Sequence, residues 1–138
     1  MKKLSIITPC YNEEVNVEIC AQELKKVMQE KLSGYDYEHI FADNASTDST
    51  LEKLREIAVK DAHIKVISNS RNVGPFRNMW NAMKSATGDA VVPLLPADLQ
   101  DPPSVIPELV KHWEQGFLVT YGVRANREES IIMRISRG

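Results

Sequence analysis

Several features that would indicate a particular class of protein are scarce in this sequence of 138 residues. Its six glycines are not spaced as GxGxxG or GxxxxGK[ST], the turns that cradle phosphates in many such proteins. Its two cysteines, Cys10 and Cys20, form no CxxC pair, which predicts reduced thiols in a reducing compartment. No apolar run approaches the ~20 residues that cross a bilayer. These absences favour a soluble cytoplasmic domain that does not hold phosphates on a glycine-rich turn.

Charge and histidine content exclude further classes of protein. Seventeen Lys and Arg residues against nineteen Asp and Glu give a net charge of −2, so a nucleic acid is not an expected partner. His39, His63 and His112 lack metal-ligand spacing and are predicted to be structural or exposed. The apolar run that starts at Leu4 stops at Pro9, which is too short for a signal sequence.

Short apolar runs alternate with helical patterns along the whole chain. The predicted strands are residues 4–8, 37–42, 64–68, 90–95 and 117–123, and the predicted helices are 15–31, 49–60, 76–86 and 101–115. Ser49 and Glu52 form a capping-box pattern at one helix start. Phe76, Trp80 and Met83 are expected to face the core. The alternation predicts an α/β fold with a mostly parallel, Rossmann-like sheet and helices on both faces.

In such sheets ligands bind at the carboxyl ends of the strands, and this chain has a polar loop after each of its first four strands. The loops are residues 9–14, 43–48, 69–74 and 96–101. Without a glycine-rich turn, the remaining physical route to a phosphate is a divalent cation held by carboxylates. Asp98, Gln100 and Asp101 supply oxygen ligands on one loop. Glu13 and Asp43 are then free to hydrogen-bond a base or ribose.

Five segments, taken together, carry a family resemblance. They are residues 5–14, 42–50, 71–74, 86–89 and 98–103. In this order, over about residues 4–127, the sequence resembles family 2 of the inverting glycosyltransferases, which have the GT-A fold. Within that family it looks most similar to the branch that transfers sugar to polyprenyl phosphate, as dolichol-phosphate mannose synthase does.

The resemblance implies a role for nine residues. The residues expected to bind the nucleotide are Pro9, Tyr11, Glu13, Asp43 and Asn44. Asp98 is expected to bind Mg²⁺ or Mn²⁺ with help from Gln100, and to act in catalysis with Arg124 and Arg127, which match an arginine pair near the acceptor or donor phosphates. The family loop usually reads Asp-x-Asp-Leu-Gln, but here Pro96 replaces the first aspartate. Pro75 and Arg77 also depart from the family pattern, which leaves the donor sugar open.

The implied reaction is transfer of a sugar from a UDP- or GDP-linked donor to a lipid phosphate or saccharide acceptor, with inversion. A polyprenyl phosphate is already anionic and needs no general base. Residues 1–123 are expected to form the nucleotide-sugar-binding core. Residues 124–138 are expected to form a basic amphipathic tail at the start of an acceptor- or membrane-facing region of a longer chain, at the inner face of the membrane.

Other interpretations of the same residues stay open. One alternative is a sugar nucleotidyltransferase, although the glycine-free first loop counts against it. Another is a non-catalytic nucleotide-binding domain. Asp98 and Asp101 both have the position of helix caps, and Asp101 is expected to serve as one. Asp48 is expected either to contact a ligand or to form the turn that precedes the helix. Glu13 is a first-turn acid of the kind that the helix dipole favours. Trp80 and Trp113 are expected in the core.

Overall fold

The computed structural model describes residues 1–126 and 129–136. The chain forms two compact units, Met1–Pro103 and Ser104–Gly138. In the first unit the strands are β1 (Lys3–Cys10), β2 (Asp36–Asp43), β3 (Ile64–Ser68) and β4 (Ala90–Val92), and the helices are α1 (Val17–Lys31), α2 (Thr50–Lys60) and α3 (Pro75–Met83). The second unit contains α4 (Ile106–Glu114), β5 (Val119–Asn126) and β6 (Glu129–Ser136).

The first unit is built on a parallel sheet with the strand order β3-β2-β1-β4. In register, Thr8 lies beside Phe41 and Cys10 beside Asp43. The chain moves outward from β1 to β2 and β3, then crosses to the other side of β1 to form β4. The sheet therefore has a topological switch point between β1 and β4, as the predicted α/β fold requires.

The core of this unit comes from the apolar strands and from one face of each helix. Ile7, Ile40 and Ala42 from the strands pack with Ala82 of α3, and all four are fully buried. On the α1 helix the predicted face is confirmed, with Val17, Cys20, Leu24 and Met28 buried. His39 is buried, and a hydrogen bond of 2.8 Å joins its Nε2 to Thr8 Oγ1. Burial lowers the pKa of His39 to about 3. Its predicted structural role is confirmed.

The predicted inward face of α3 was wrong for Phe76 and Trp80, whereas Met83 packs against the core as predicted. Phe76 and Trp80 are 80% and 58% exposed, whereas Asn78 and Ala82 are buried. The reason is a polar contact, because Asn78 Nδ2 donates to the carbonyl of Ala42 at 2.8 Å. A position two residues away lies about 200° around a helix, so burying Asn78 turns Phe76 and Trp80 outward.

The capping box predicted for α2 does not form. Ser49 makes no side-chain capping bond. Instead, Asp48 Oδ1 accepts hydrogen bonds from the backbone N–H of Thr50 at 2.9 Å and from its hydroxyl at 2.5 Å. Desolvation acts to raise the pKa of Asp48, but these bonds outweigh it and lower the pKa. Of its two expected roles, Asp48 has the local one in the turn that begins the helix.

The second unit corrects the expectation of a fifth parallel strand. β5 pairs antiparallel with β6, from Val119 opposite Ser136 to Asn126 opposite Glu129. Two residues separate these strands in the sequence, whereas a parallel crossover needs a dozen or more. α4 buries Ile106 and Val110. The functional boundary predicted at residue 123 stays a prediction.

The carboxylate of Glu38 fastens the amino edge of the sheet. It is buried in β2 and accepts hydrogen bonds from Ser5 Oγ of β1 at 2.5 Å, from Lys65 Nζ of β3, and from the backbone N–H of Thr87 at 2.7 Å. Burial acts to raise the pKa of Glu38, but these bonds outweigh it and hold the pKa at about 2.

The segment 86–89 adds a second attachment at this edge. Gly88 N–H donates to Ser5 Oγ at 2.8 Å, and Asp89 accepts from the backbone N–H of Lys3 at 2.8 Å. A Cβ on Gly88 would lie 2.7 Å from the backbone nitrogen of Ser5 and 2.8 Å from the carbonyl oxygen of Lys3. Glycine is required there because the neighbouring backbone leaves no room for a side chain.

Among the residues that the structure describes, no helix is long and apolar enough to cross a membrane.

Replacing Glu38 with glutamine should destabilise the protein by about 3 kcal/mol at neutral pH, since a pKa lowered from 4.5 to about 2 corresponds to that order of free energy. Because the folded-state pKa is depressed, the stabilisation is present above the unfolded pKa and is lost as the pH falls toward 2. Urea unfolding from pH 7 down to about pH 3 should show the two proteins converging. The exposed Glu56→Gln serves as control, and parallel curves for wild type and Glu38→Gln would contradict the prediction.

Gly88→Ala should lower the free energy of unfolding by about 2 kcal/mol or more, because the new methyl group meets backbone atoms of β1 that cannot move aside. Gly34→Ala is the matched control, since a Cβ there meets nothing within 4 Å. Denaturant unfolding of both variants measures the difference. Equal stability of the two alanine variants would refute the packing argument.

Candidate functional site

A cavity of about 280 Å³ lies at the carboxyl ends of β1 and β4, at the switch point of the sheet. The described residues that line it are Pro9, Glu13, Pro75, Phe76, Met79, Leu94, Pro96, Ala97 and Asp98. The pairing between β1 and β4 ends at Ile6 and Val92, and one further bond joins Leu95 N–H to the carbonyl of Ile7 at 2.8 Å. The ends of these two strands, the loops that follow them and the first turns of α3 form the cavity.

The structure brings three of the predicted site residues together here: Pro9, Glu13 and Asp98. The thiol of Cys20 lies near the same carboxylates. Its burial, together with the charges of Asp98 and Glu13, raises its pKa to about 12 against the lowering effect of the hydrogen bond with Thr8. Burial also raises the pKa of Cys10. Both thiols are free and buried.

The loop after β1 is held against the loop after β2 by reciprocal hydrogen bonds. Asn12 has a left-handed backbone with φ 53°, a conformation that asparagine tolerates better than most residues. Its Oδ1 accepts from the backbone N–H of Thr47 at 2.8 Å and of Asp48 at 3.3 Å. In return Ser46 Oγ accepts from the N–H of Asn12, and Thr50 Oγ1 from the N–H of Glu13, both at 2.9 Å. These contacts fix the position of Glu13.

Asp43, at the end of β2, is 1% exposed, and its two carboxylate oxygens differ in their hydrogen bonding. Its Oδ2 accepts from the N–H of Ser46 at 3.3 Å. Within the part of the chain that the structure describes, its buried Oδ1 has no hydrogen-bond partner. An unpaired buried acceptor costs about 1–3 kcal/mol, so this atom is suited to a donor group on a ligand. Asp43 does not line the cavity itself.

Asn44 joins the loop after β2 to the loop after β3. Its Oδ1 accepts from the N–H of Val73 at 2.9 Å, and its Nδ2 donates to Asn72 at 3.0 Å. Asn69 donates to both Asn44 and Asn78, which completes a network of four asparagine amides. Asn69 and Asn78 were missed from the sequence, and the run of asparagines in residues 69–78 was the available signal. The carboxamide of Asn44 is already bonded on both sides by protein.

Asp98 and Gln100 are exposed on the loop after β4. Asp98 Oδ1 accepts from the N–H of Gln100 at 3.1 Å. The turn closes through a bond from Leu99 N–H to the carbonyl of Pro96 at 3.1 Å, with Leu99 at φ 59°. Pro96 lines the cavity and begins this turn with its carbonyl, in the place of the usual first aspartate.

A metal would have to rely on few protein ligands here. Among residues 1–126 and 129–136 no three His, Cys, Asp or Glu are grouped to hold a cation. Mg²⁺ commonly takes one or two carboxylates and completes its shell with substrate phosphates and water. The exposed carboxylate of Asp98 fits that arrangement, with the amide oxygen of Gln100 on the same loop.

Three further predicted residues also lie away from the cavity or outside the description. Tyr11 is 47% exposed on the loop after β1 and does not line the cavity. Arg124 belongs to β5, but its side chain is not described. Arg127 lies outside the described residues. Their roles stay predictions.

Comparison with known sequences places the chain among glycosyltransferases. The family model for glycosyl transferase family 2 matches residues 5–133. The uncharacterized glycosyltransferase YkcC of Bacillus subtilis (strain 168) is 40% identical over 124 residues, which cover 90% of this chain and 38% of YkcC. The undecaprenyl-phosphate 4-deoxy-4-formamido-L-arabinose transferase of Pectobacterium carotovorum subsp. carotovorum (strain PC1) is 34% identical over 137 residues, 99% of this chain and 41% of that protein. The chain thus spans about two fifths of the length of these relatives.

Solved structures support the same fold. The mannosyltransferase PcManGT from Pyrobaculum calidifontis, in complex with GDP-Man and Mn²⁺, is similar with a TM-score of 0.66 and 24% identity over 78% of this chain and 31% of that one. S. aureus TarS 1-349 with UDP-GlcNAc has a TM-score of 0.65 and 26% identity over 83% and 32% of the two chains. Glucosyl-3-phosphoglycerate synthase from Mycobacterium tuberculosis, with Mn²⁺, UDP and phosphoglyceric acid, has a TM-score of 0.60 and 25% identity over 81% and 39%.

The predicted α/β fold of the GT-A type is confirmed by these structural matches. The family model covers most of the chain, including the loops after β1, β2, β3 and β4. On this evidence the chain belongs to glycosyl transferase family 2.

Proposed function

We propose that this chain is the donor-binding part of an inverting glycosyltransferase that transfers a sugar from a UDP- or GDP-linked donor to polyprenyl phosphate. The observation that carries the proposal is the convergence of Glu13 and Asp98 on one cavity at the switch point of the sheet. Ligands of open α/β sheets bind at that point. The similar structure of S. aureus TarS contains UDP-GlcNAc, which agrees with a nucleotide-sugar donor.

The base lies at the β2 side of the site in this proposal. Asp43 offers the buried acceptor Oδ1, which suits an N–H of uracil or guanine. Tyr11 presents an exposed aromatic ring, and Pro9 of β1 and Glu13 of the loop after β1 border the cavity. Asn44 contributes by holding the loops after β2 and β3 together, because its carboxamide is bonded to Val73 and Asn72.

The diphosphate lies at the β4 side. Asp98 and Gln100 would hold Mg²⁺ or Mn²⁺ together with the phosphates of the donor. A bound cation supplies positive charge that offsets the charge developing on the diphosphate leaving group. The similar synthase from Mycobacterium tuberculosis contains Mn²⁺ and UDP, which supports a divalent metal.

The acceptor is proposed from chemistry and from a relative. An anionic phosphate oxygen attacks the anomeric carbon from the face opposite the diphosphate, which inverts that carbon and needs no general base. Arg124 and Arg127 are the proposed phosphate ligands, since guanidinium grips phosphate bidentately. The Pectobacterium relative is named for transfer to undecaprenyl phosphate. A lipid acceptor places the reaction at the cytoplasmic face of a membrane; a saccharide acceptor would not require this.

Asp98→Asn should abolish metal-dependent nucleotide binding, because it removes the carboxylate that holds the cation. Thermal unfolding is measured with UDP, GDP, NAD and ATP, each with Mn²⁺, Mg²⁺ or EDTA. A nucleotide at 100 times its dissociation constant adds about 2.7 kcal/mol, which raises the midpoint by several degrees.

Glu30→Gln is the matched control for Asp98→Asn. It removes one exposed carboxylate near the end of α1, and it should keep the metal-dependent shift. If neither UDP nor GDP raises the midpoint of a well-folded sample, or if NAD alone does so, the donor-site proposal is wrong.

Asp43→Asn should weaken binding of UDP or GDP about tenfold or more, because a charged acceptor for the N–H of the base is lost. Cytosine carries no N–H at the corresponding ring position, so CDP should bind wild type poorly and be affected far less by the substitution. Isothermal titration with the three nucleotides tests the difference. An equal loss for UDP, GDP and CDP would mean that Asp43 acts on folding and not on the base.

A further inference from the structure

The cavity is lined by two chemically different groups of residues. Among the described residues that line it, Glu13 and Asp98 alone carry side chains that form hydrogen bonds, and both carboxylates act as acceptors when ionised. The other lining residues are apolar, and we refer to Phe76 and Met79 of α3 together with Leu94 after β4 as its apolar side. Phe76 and Leu94 are 80% and 55% exposed, so their apolar surfaces are available to a ligand.

Local features of this chain create the apolar side. α3 begins at Pro75, directly after Gly74 at φ 86°, and the buried Asn78 turns Phe76 outward toward the cavity mouth. Pro96 adds to the same effect, because it stands where the related loop has a carboxylate. The site therefore has less hydrogen-bonding capacity on this side than a site with the usual aspartate would have.

The size of the cavity limits what occupies it. Pockets that enclose a whole drug-sized ligand have about 300–1,000 Å³. At about 280 Å³, this cavity lies just below that range and suits one ring of a nucleotide sugar. With the base at the Asp43 side and the diphosphate beside Asp98, the ring that reaches Phe76 is the sugar.

A sugar hydroxyl on the apolar side would lose its water without gaining a partner, which is unfavourable. Hydroxyls near Glu13 or Asp98 can donate to a carboxylate. On the basis of the function proposed above, we propose that Phe76 is a specificity-determining residue, and that the donor sugar turns an apolar substituent toward it, either the methyl of an N-acyl group or a deoxy carbon.

The experiment compares donors that differ in one substituent. Binding of UDP-glucose and UDP-N-acetylglucosamine, and of GDP-mannose and GDP-6-deoxymannose, is measured by isothermal titration with the 138-residue chain and Mn²⁺. In the pair that carries the preferred base, the acylated or deoxy donor should bind about tenfold more tightly, the size expected when an unpaired hydroxyl is avoided. Phe76→Ser should reduce this ratio to about one.

Trp80→Ser is the matched control. Trp80 is an exposed aromatic residue one turn further along α3 and does not line the cavity, so its removal should leave the ratio unchanged. Equal binding of both members of a pair, or the same change of ratio in the two serine variants, would overturn the inference about Phe76 while UDP or GDP still binds. If no nucleotide binds at all, the proposed donor site fails and this inference fails with it.

Discussion

The carboxylate of Glu38 accepts hydrogen bonds from Ser5 in β1, Lys65 in β3 and Thr87 before β4. One buried group in β2 therefore joins residues from all parts of the parallel sheet at its amino edge. The close contact of Gly88 with Ser5 and Lys3 holds β4 beside β1 at the same edge. This attachment allows the pairing of β1 with β4 to stop at Ile6 while the two strands stay adjacent, and the cavity lies beyond that point.

The carboxyl edge is organised by loops that carry unusual backbone conformations. Asn12, Ala45 and Leu99 have positive φ angles, and they lie in the loops after β1, β2 and β4 respectively. For alanine and leucine this conformation is unfavourable, and such residues often cluster at functional sites. Here the hydrogen bonds of Asn12 with the loop after β2, and the turn from Pro96 to Leu99, hold two of these loops in place.

Two buried carboxylates in the same strand illustrate how surroundings separate structural from ligand-binding acids. Glu38 is satisfied by several donors, and its pKa is held at about 2. Asp43, five residues later and equally buried, has one oxygen without a partner among the described residues. The first arrangement stabilises the fold and the second leaves an acceptor for a ligand. The same strand thus serves stability at its amino end and recognition at its carboxyl end.

Apolar periodicity and the family segments are local signals, and they were sufficient to predict the parallel sheet, the buried face of α1 and the polar loops at the strand ends. The sequence also identified Glu13 and Asp98, which the fold brings onto one cavity. The orientation of α3 depends on tertiary contacts, since the hydrogen bonds of Asn78 with Ala42 and Asn69 outweighed the apolar pattern and exposed Phe76 and Trp80. Tertiary contacts also determine that β5 pairs with β6, and at the start of α2 the side-chain hydrogen bonds come from Asp48 and not from Ser49. These outcomes depend on contacts between residues distant in the sequence or on competition between neighbouring side chains, which a pattern along the chain does not contain.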